Sequence, residues 1–157
     1  MELAQVLREL FVGSHPQTID DIERLRRLAV TAVLNLQTDE DMASVGLVWQ
    51  PLEEHYKTAA LHLVRLPVKE EQTEMAAKFS LCVSTLNELL SSENHTVYLH
   101  CTAGIARSPT VAIGHLHWSL GWEWDEAIAR LKQVRGKCSP HLDALRLSMS
   151  ARQANHP

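Results

Sequence analysis

The fold is decided by TVYLHCTAGIARSPT, residues 96–110. Its first four residues are β-branched, aromatic and aliphatic, which predicts a short strand that runs into His100 and Cys101. A proline is tolerated in the first turn of a helix, so a helix is predicted over Pro109–Leu120, ended by Gly121. A loop therefore joins a strand to a helix, at the place where an open α/β sheet binds its ligand.

Patterns of strand and helix alternate on both sides of this stretch. Short apolar runs predict further strands, the first of them at the edge of a sheet: Leu10–Val12, Thr31–Leu36 and Leu61–Leu66. Apolar residues at helical spacing predict further helices: Thr18–Leu28, Thr73–Leu90, Asp125–Val134 and Pro140–Ala151. This order indicates an α/β fold with a central, mostly parallel sheet flanked by helices and with a helical C-terminal half.

Length and composition limit the possible functions. The chain has 157 residues and neither repeats nor linkers, which predicts a single domain over residues 1–157. Fifteen basic residues against nineteen acidic ones give a net charge of −4, which argues against nucleic acid or an anionic membrane as partner. No apolar run is long enough to span a membrane, and charges at Glu2, Arg8 and Glu9 interrupt the N-terminus, so secretion is not expected.

The cysteines and histidines argue against disulfides and metals. Three cysteines without a CxxC pair disfavour a disulfide framework or a structural zinc site, and they indicate a reducing cytoplasm. The nine histidines are scattered, and His115 and His117 point to different faces of a predicted helix. We therefore predict a cytoplasmic monomer that needs no metal and no cofactor.

The loop from Cys101 to Arg107 has the composition of an anion site. Its backbone N–H groups can point inward and form a concave site that the following helix N-terminus reinforces. Gly104 permits the dihedral angles of such a curl, and Arg107 can hold two phosphate oxygens with its planar guanidinium. In these surroundings Cys101 is expected to be a thiolate nucleophile, with Ser108 stabilising the sulfur as it leaves and His100 holding the loop by hydrogen bonds. The predicted phosphate-binding residues are Thr102, Ala103, Gly104, Ile105, Ala106 and Arg107.

The stretch HCTAGIARSPT resembles the signature of the protein tyrosine phosphatase superfamily, Cys-x5-Arg followed by Ser or Thr, and is most similar to its dual-specificity branch. By this resemblance Cys101 is the nucleophile, Arg107 binds phosphate and Ser108 assists breakdown of a cysteinyl-phosphate. Three outer segments also resemble the plant glucan phosphatases of this branch: residues 13–18, 34–41 and 138–146.

The loop itself departs from the glucan phosphatases. Residues 106–109 are ARSP, which is closer to the protein-directed enzymes, whereas glucan phosphatases tend to carry Gly-Arg-Ala-Pro there. Lipid-directed members often place lysine inside the loop. The variable loop positions of this chain are uncharged, which disfavours a polyphosphorylated inositide head group as substrate.

The resemblance also implies a general acid, usually an aspartate, on an upstream loop that protonates the leaving group. The corresponding segment PVKEEQTE, residues 67–74, contains no aspartate. Glu70 is predicted to be the acid, and the alternatives are Glu71, Asp39, Asp41 or no acid at all. The glutamates of this segment equally suit the start of a solvated helix.

These features predict a metal-independent phosphomonoester hydrolase that acts on phosphotyrosine, and also on phosphoserine and phosphothreonine, in proteins. A phosphoglucan phosphatase is the alternative, with Trp49 and Tyr56 either stacking on the substrate or packing in the fold. An alternative of another class, favoured by the missing aspartate, is a phosphate-binding module with little turnover. The basic residues near position 135 are interpreted as an ordinary solvated face: Lys132, Arg135 and Lys137.

Overall fold

The computed structural model describes residues 1–92 and 95–154, with the backbone alone for residues 151–154. Its strands are β1 Leu3–Leu7, β2 Leu10–Gly13, β3 Ala32–Asn35, β4 His62–Arg65 and β5 Val97–His100. They form one sheet in the order β1-β2-β5-β3-β4. The β1–β2 pair is antiparallel and the other neighbouring pairs are parallel, which confirms the predicted central, mostly parallel sheet.

Helices cover both faces of this sheet. They are α1 Ile19–Arg27, α2 Asp39–Ser44, α3 Trp49–Thr58, α4 Gln72–Ser91, α5 Arg107–Trp118, α6 Trp124–Val134 and α7 Leu142–Ala154. The last three lie after β5, so the helical C-terminal half is confirmed. Within the described ranges, no helix combines the length and the apolar character needed to cross a membrane.

Alternate residues of the central strands divide between two hydrophobic cores. Val33 of β3 and Tyr98 of β5 belong to the core that α1 and α3 cover. Leu34 and Leu99, their neighbours along the same strands, belong to the larger core that α4, α5, α6 and α7 cover. All four side chains are fully buried, and coverage of both faces explains why these strands have uninterrupted apolar sequences.

The N-terminal half differs from the sequence prediction in two places. Leu10–Val12 is predicted as an edge strand, but β1 pairs with its outer side and makes β2 an interior strand. The prediction is wrong because Gln5 and the charged residues around β1 obscure its apolar pattern. Helices α2 and α3 are also missed: the first has six residues, and the second buries only Leu52 and Tyr56, too few apolar positions to establish a helical period.

The topology gathers the functional segments at one edge of the sheet. Strand β5 lies between β2 and β3, and β2, β3, β4 and β5 all run in the same direction. The segments that follow these strands therefore meet at their carboxyl ends, where open α/β sheets bind ligands. The loop between β5 and α5 lies at the centre of this edge.

Candidate active site

The loop between β5 and α5 forms a tight curl around Cys101, and this residue is only 2% exposed. Gly104 has a φ of 65°, in the left-handed region that favours glycine. A Cβ atom at Gly104 would also collide with the backbone carbonyl of Gly13 at the end of β2. The glycine is thus required both by its dihedral angle and by the close approach of the neighbouring strand.

The nucleophile candidate faces a serine hydroxyl. The Sγ atom of Cys101 lies 3.4 Å from the Oγ atom of Ser108, in the first turn of α5. Ser108 is fully buried. The structure therefore brings together the sulfur and the hydroxyl that the sequence predicts to act on it.

Arg107 is almost completely buried, and its guanidinium is held by four neighbours. Its Nη1 atom donates to Asp41 Oδ2 at 2.6 Å and to the Val68 carbonyl at 2.8 Å. Its Nη2 atom contacts Asp41 Oδ1 and Thr102 Oγ1, each at 3.3 Å, and Glu70 Oε2 at 3.5 Å. The Nε atom is buried and has no partner among the described residues, so one donor of Arg107 is left for a ligand.

Asp41 is the main anchor of this guanidinium. The sequence predicts it only as an alternative general acid. Its Oδ2 atom also accepts from the backbone N–H of Thr38 at 2.8 Å, as part of the capping box of α2. Burial raises the pKa of Asp41, but the hydrogen bonds from Arg107 and Thr38 outweigh it and hold that pKa below its ordinary value. Asp41 is therefore ionised at neutral pH and directed at Arg107.

Of the predicted acid candidates, Glu70 also reaches the site. Its carboxylate contacts Arg107, while 64% of the side chain is exposed. It lines a cleft of about 550 Å³ beside the loop, together with Ile105, Ala106 and His141. Asp39, in contrast, is 86% exposed and paired with Arg65, and Glu71 precedes α4 and is exposed.

His100 lies behind the loop. Its Nδ1 atom is 3.0 Å from the Cys101 carbonyl, and its ring stacks on Tyr98 with centroids 5.4 Å apart. Burial lowers the pKa of His100 to about 3, so the ring is neutral at neutral pH and Nδ1–H donates to the carbonyl. This geometry suits the predicted support of the loop through hydrogen bonds.

A basic residue missed as functional also contacts the loop. Arg135, the C-cap residue of α6, donates from Nη2 to the Ala103 carbonyl at 2.8 Å and from Nε to the Gly104 carbonyl at 2.5 Å. The residue is 6% exposed, so its interpretation as part of a solvated face is wrong. The prediction failed because a basic residue at a helix end normally interacts with solvent and the helix dipole.

The two aromatic residues considered for substrate stacking pack in the fold. Tyr56 is 1% exposed and belongs to the core under α3. The ring of Trp49 lies 6.2 Å from that of Tyr56, and the guanidinium carbon of Arg65 lies 5.2 Å from the Trp49 centroid. Trp49 thus has an aromatic and a cationic neighbour within the chain.

The other two cysteines have the surroundings of inert thiols. Burial raises the pKa of Cys82 to about 12, and burial also raises the pKa of Cys138. All three cysteines are free. Across the described part of the chain, no group of three or more His, Cys, Asp or Glu side chains is placed to hold a metal ion.

Comparison with known proteins identifies the family. The family model "Dual specificity phosphatase, catalytic domain" matches residues 10–152. The chain therefore belongs to the dual specificity phosphatase catalytic domain family, as the loop sequence predicts.

Similar proteins carry two kinds of name. The chain is 31% identical over 119 residues to the phosphoglucan phosphatase LSF1, chloroplastic, of Arabidopsis thaliana, covering 75% of this chain and 20% of that protein. It is 32% identical over 138 residues to dual specificity protein phosphatase 2 of Mus musculus, covering 87% of this chain and 39% of that protein. The chain thus spans well under half the length of these relatives.

A solved structure shares the fold. The crystal structure of PTPMT1 superposes with a TM-score of 0.75 at 20% sequence identity, covering 99% of this chain and 100% of that one. The likeness at this level of identity concerns the fold. It supports the α/β architecture with a helical C-terminal half.

Proposed function

We propose that this chain is a metal-independent phosphatase that removes phosphate from phosphotyrosine, and also from phosphoserine and phosphothreonine, in proteins. The observation that carries the proposal is Cys101 Sγ inside a curled loop, 3.4 Å from Ser108 Oγ and followed by the buried guanidinium of Arg107. The helix N-terminus and the fixed arginine beside this sulfur favour a bound phosphate dianion.

In the first step, the Cys101 thiolate attacks phosphorus and the bond from phosphorus to the leaving oxygen breaks. The free Nε–H of Arg107 donates to one phosphate oxygen, and the loop N–H groups bind the others. The Thr102 hydroxyl lies 3.3 Å from Arg107 Nη2 and helps to orient the guanidinium. The product of this step is a phosphate ester of the Cys101 sulfur and a protonated leaving group.

Glu70 supplies the proton to the leaving oxygen. Its contact with Arg107 supports it over Asp39 and Glu71, and its exposure at the mouth of the loop, where a leaving group would lie, supports it over Asp41. Asp41 instead accepts two hydrogen bonds from Arg107 and one from Thr38, which suits an anchor more than a proton donor.

In the second step, water attacks phosphorus and the bond from sulfur to phosphorus breaks. The Glu70 carboxylate takes a proton from that water, and the products are inorganic phosphate and the Cys101 thiolate. The Ser108 hydroxyl donates to the departing sulfur, which stabilises its negative charge. The protein returns to its starting protonation state once Glu70 has received this proton.

A phosphoglucan is the second candidate substrate, supported by the relatives that are named phosphoglucan phosphatases. The buried position of Tyr56 weakens this candidate, because that ring is not available to stack on a sugar. The uncharged side chains of the loop remain compatible with either substrate. A phosphoprotein is therefore ranked first.

The experiment compares phosphate release from a phosphotyrosine peptide and from phosphorylated amylopectin in the presence of EDTA. The variant Cys101→Ser should lose all release above background, while the control Cys82→Ser changes a buried thiol of α4, outside the loop, and should retain release. Peptide activity greater than amylopectin activity supports the ranking, and the reverse order makes the chain a glucan phosphatase. Tight phosphate binding without release from either substrate would contradict the proposal and indicate a binding module.

A further inference from the structure

The carbonyl groups of the curled loop point away from its centre and accept hydrogen bonds from other parts of the chain. In a trans peptide the C=O of one residue and the N–H of the next point in opposite directions. Each carbonyl fixed outward therefore turns the next N–H inward. The donors on the outside of the loop decide how well the anion site is formed before a ligand arrives.

Both backbone and side-chain groups serve as these outer donors. Three loop carbonyls accept from backbone N–H groups: Thr102 from His15 at 2.9 Å, Ile105 from Ser139 at 2.7 Å, and Ala106 from Thr110 at 3.0 Å. The peptides between them depend on a side chain. Arg135 bonds the carbonyls of Ala103 and Gly104, which are adjacent in the sequence.

We propose that Arg135 is a positioning residue that forms the anion site by fixing two adjacent peptides, so that the N–H groups of Gly104 and Ile105 face the phosphate. This inference rests on the proposed function of the loop. A planar guanidinium suits the task because its N–H groups have a fixed separation and direction. A lysine ammonium has no such geometry and would fix the two carbonyls less well.

The charge of Arg135 contributes as well. Its two hydrogen-bond acceptors in the loop are neutral carbonyls, and its ion-pair partner Glu2 lies 3.6 Å away and is 60% exposed. The positive charge behind the loop is therefore only partly compensated. It favours a bound phosphate dianion, and its loss would also change the electrostatic surroundings of Cys101.

Helix α6 offers a matched control. Arg130, five residues before Arg135, donates from Nε to the Val6 carbonyl at 3.0 Å and from Nη1 to Gln133 at 3.1 Å. Arg130→Gln therefore removes an arginine-to-carbonyl bond from the same helix without contact to the loop. It separates a local effect at the loop from the loss of any arginine on α6.

The test measures three quantities for wild type, Arg135→Gln, Arg135→Lys and Arg130→Gln. They are the affinity for inorganic phosphate by calorimetry, the rate of Cys101 alkylation by iodoacetate at pH 6, and kcat and KM for the phosphotyrosine peptide. Arg135→Gln should weaken phosphate binding and slow alkylation by about tenfold each, because two inward N–H groups and one positive charge are lost. For that variant kcat/KM should fall by roughly 100-fold.

Arg135→Lys keeps the charge and should fall between wild type and Arg135→Gln in all three quantities, whereas Arg130→Gln should stay within about twofold of wild type. Phosphate affinity and alkylation rate equal to wild type in both Arg135 variants would overturn the inference. If Arg135→Gln fails to fold, the phosphate affinity and alkylation rate of Arg135→Lys test the inference in its place. A wild type that binds phosphate but hydrolyses nothing would contradict the proposed function, while the first two measurements would still decide the role of Arg135.

Discussion

Two loops that meet at Arg107 are held in opposite ways. The loop from β5 to α5 is fixed by hydrogen bonds to its carbonyls, and its Cys101 and Arg107 are buried. The segment from β4 to α4 is anchored at its base, where Lys78 binds the Pro67 carbonyl and Arg107 binds that of Val68, but its Glu70 is 64% exposed.

This difference matches the two tasks in the proposed reaction. Phosphate binding and a thiolate nucleophile need groups that are in place before the substrate arrives, because reorganisation would cost free energy in the transition state. A proton donor must instead reach leaving groups of different shape. We infer that binding and nucleophilic attack depend on the rigid loop, and that leaving-group protonation depends on the exposed segment.

The largest effect is expected at the rigid loop. Arg107→Lys keeps the charge but loses the planar donors, and kcat/KM for the phosphotyrosine peptide should fall by about 10³-fold. Steady-state kinetics measures it, with Arg65→Lys as control because Arg65 pairs with exposed Asp39. A change of less than about tenfold for Arg107→Lys would contradict a direct role of its guanidinium.

At the exposed segment, Glu70→Gln should depend on the leaving group. For an alkyl phosphate kcat should fall by about 100-fold, and for p-nitrophenyl phosphate, whose leaving group needs little protonation, by less than about tenfold. The matched control is Glu71→Gln, which changes a neighbouring carboxylate that precedes α4. An equal decrease in kcat on both substrates for Glu70→Gln would show that this residue is not the general acid.

A smaller effect is expected at Asp41, where the anchor of Arg107 would be weakened. Asp41→Asn should raise KM and lower kcat/KM by roughly tenfold, since the guanidinium loses its charged partner. Because the pKa of Asp41 is lowered in the folded state, its contribution to stability is present at neutral pH and is lost as the pH falls through and below the ordinary aspartate range.

Urea unfolding at pH 7 and pH 3 measures the free energy of unfolding. Acidification should lower this free energy less for Asp41→Asn than for wild type. Asp39→Asn is the control, because Asp39 lies in the same turn and is 86% exposed. Identical behaviour of the two variants in kinetics and unfolding would mean that Asp41 does not anchor Arg107.

The last prediction concerns His100 and the pH dependence of the free energy of unfolding. Its folded-state pKa of about 3 lies below the ordinary value of 6.5, so the unfolded chain binds a proton there that the folded chain does not. Stability should therefore fall as the pH drops from about 6.5 toward 3. His100→Asn should reduce this dependence in urea unfolding between pH 7 and pH 4.5. The control His62→Asn changes an exposed histidine and should leave the dependence as in wild type.

The parts that sequence predicts well are those encoded by neighbouring residues. The strand before Cys101, the turn at Gly104 and the helix after Arg107 follow from local side-chain and backbone preferences, and the structure contains all three. The family follows from the same stretch. The long helix α4 is likewise predicted by the spacing of its apolar residues.

The parts that sequence misses depend on contacts between distant residues. Asp41 is 66 positions from Arg107, and the Thr38–Asp41 capping pattern indicates a helix start without naming its partner. Arg135 is 31 positions from Gly104, and nothing in its neighbourhood marks it as buried. The burial of Tyr56 results from tertiary packing, so the sequence alone leaves it as a candidate for stacking on the substrate.

The central claim is that phosphate passes through the sulfur of Cys101. The most direct test is to mix the protein with a phosphotyrosine peptide, quench with acid during the first turnover and map the phosphate by mass spectrometry. Ser108→Ala should increase the trapped amount, because its hydroxyl no longer assists departure of the sulfur. The account predicts phosphate on Cys101 in wild type, more of it in Ser108→Ala and none in Cys101→Ser. Hydrolysis by Cys101→Ser at the wild-type rate, or phosphate on another residue, would contradict it.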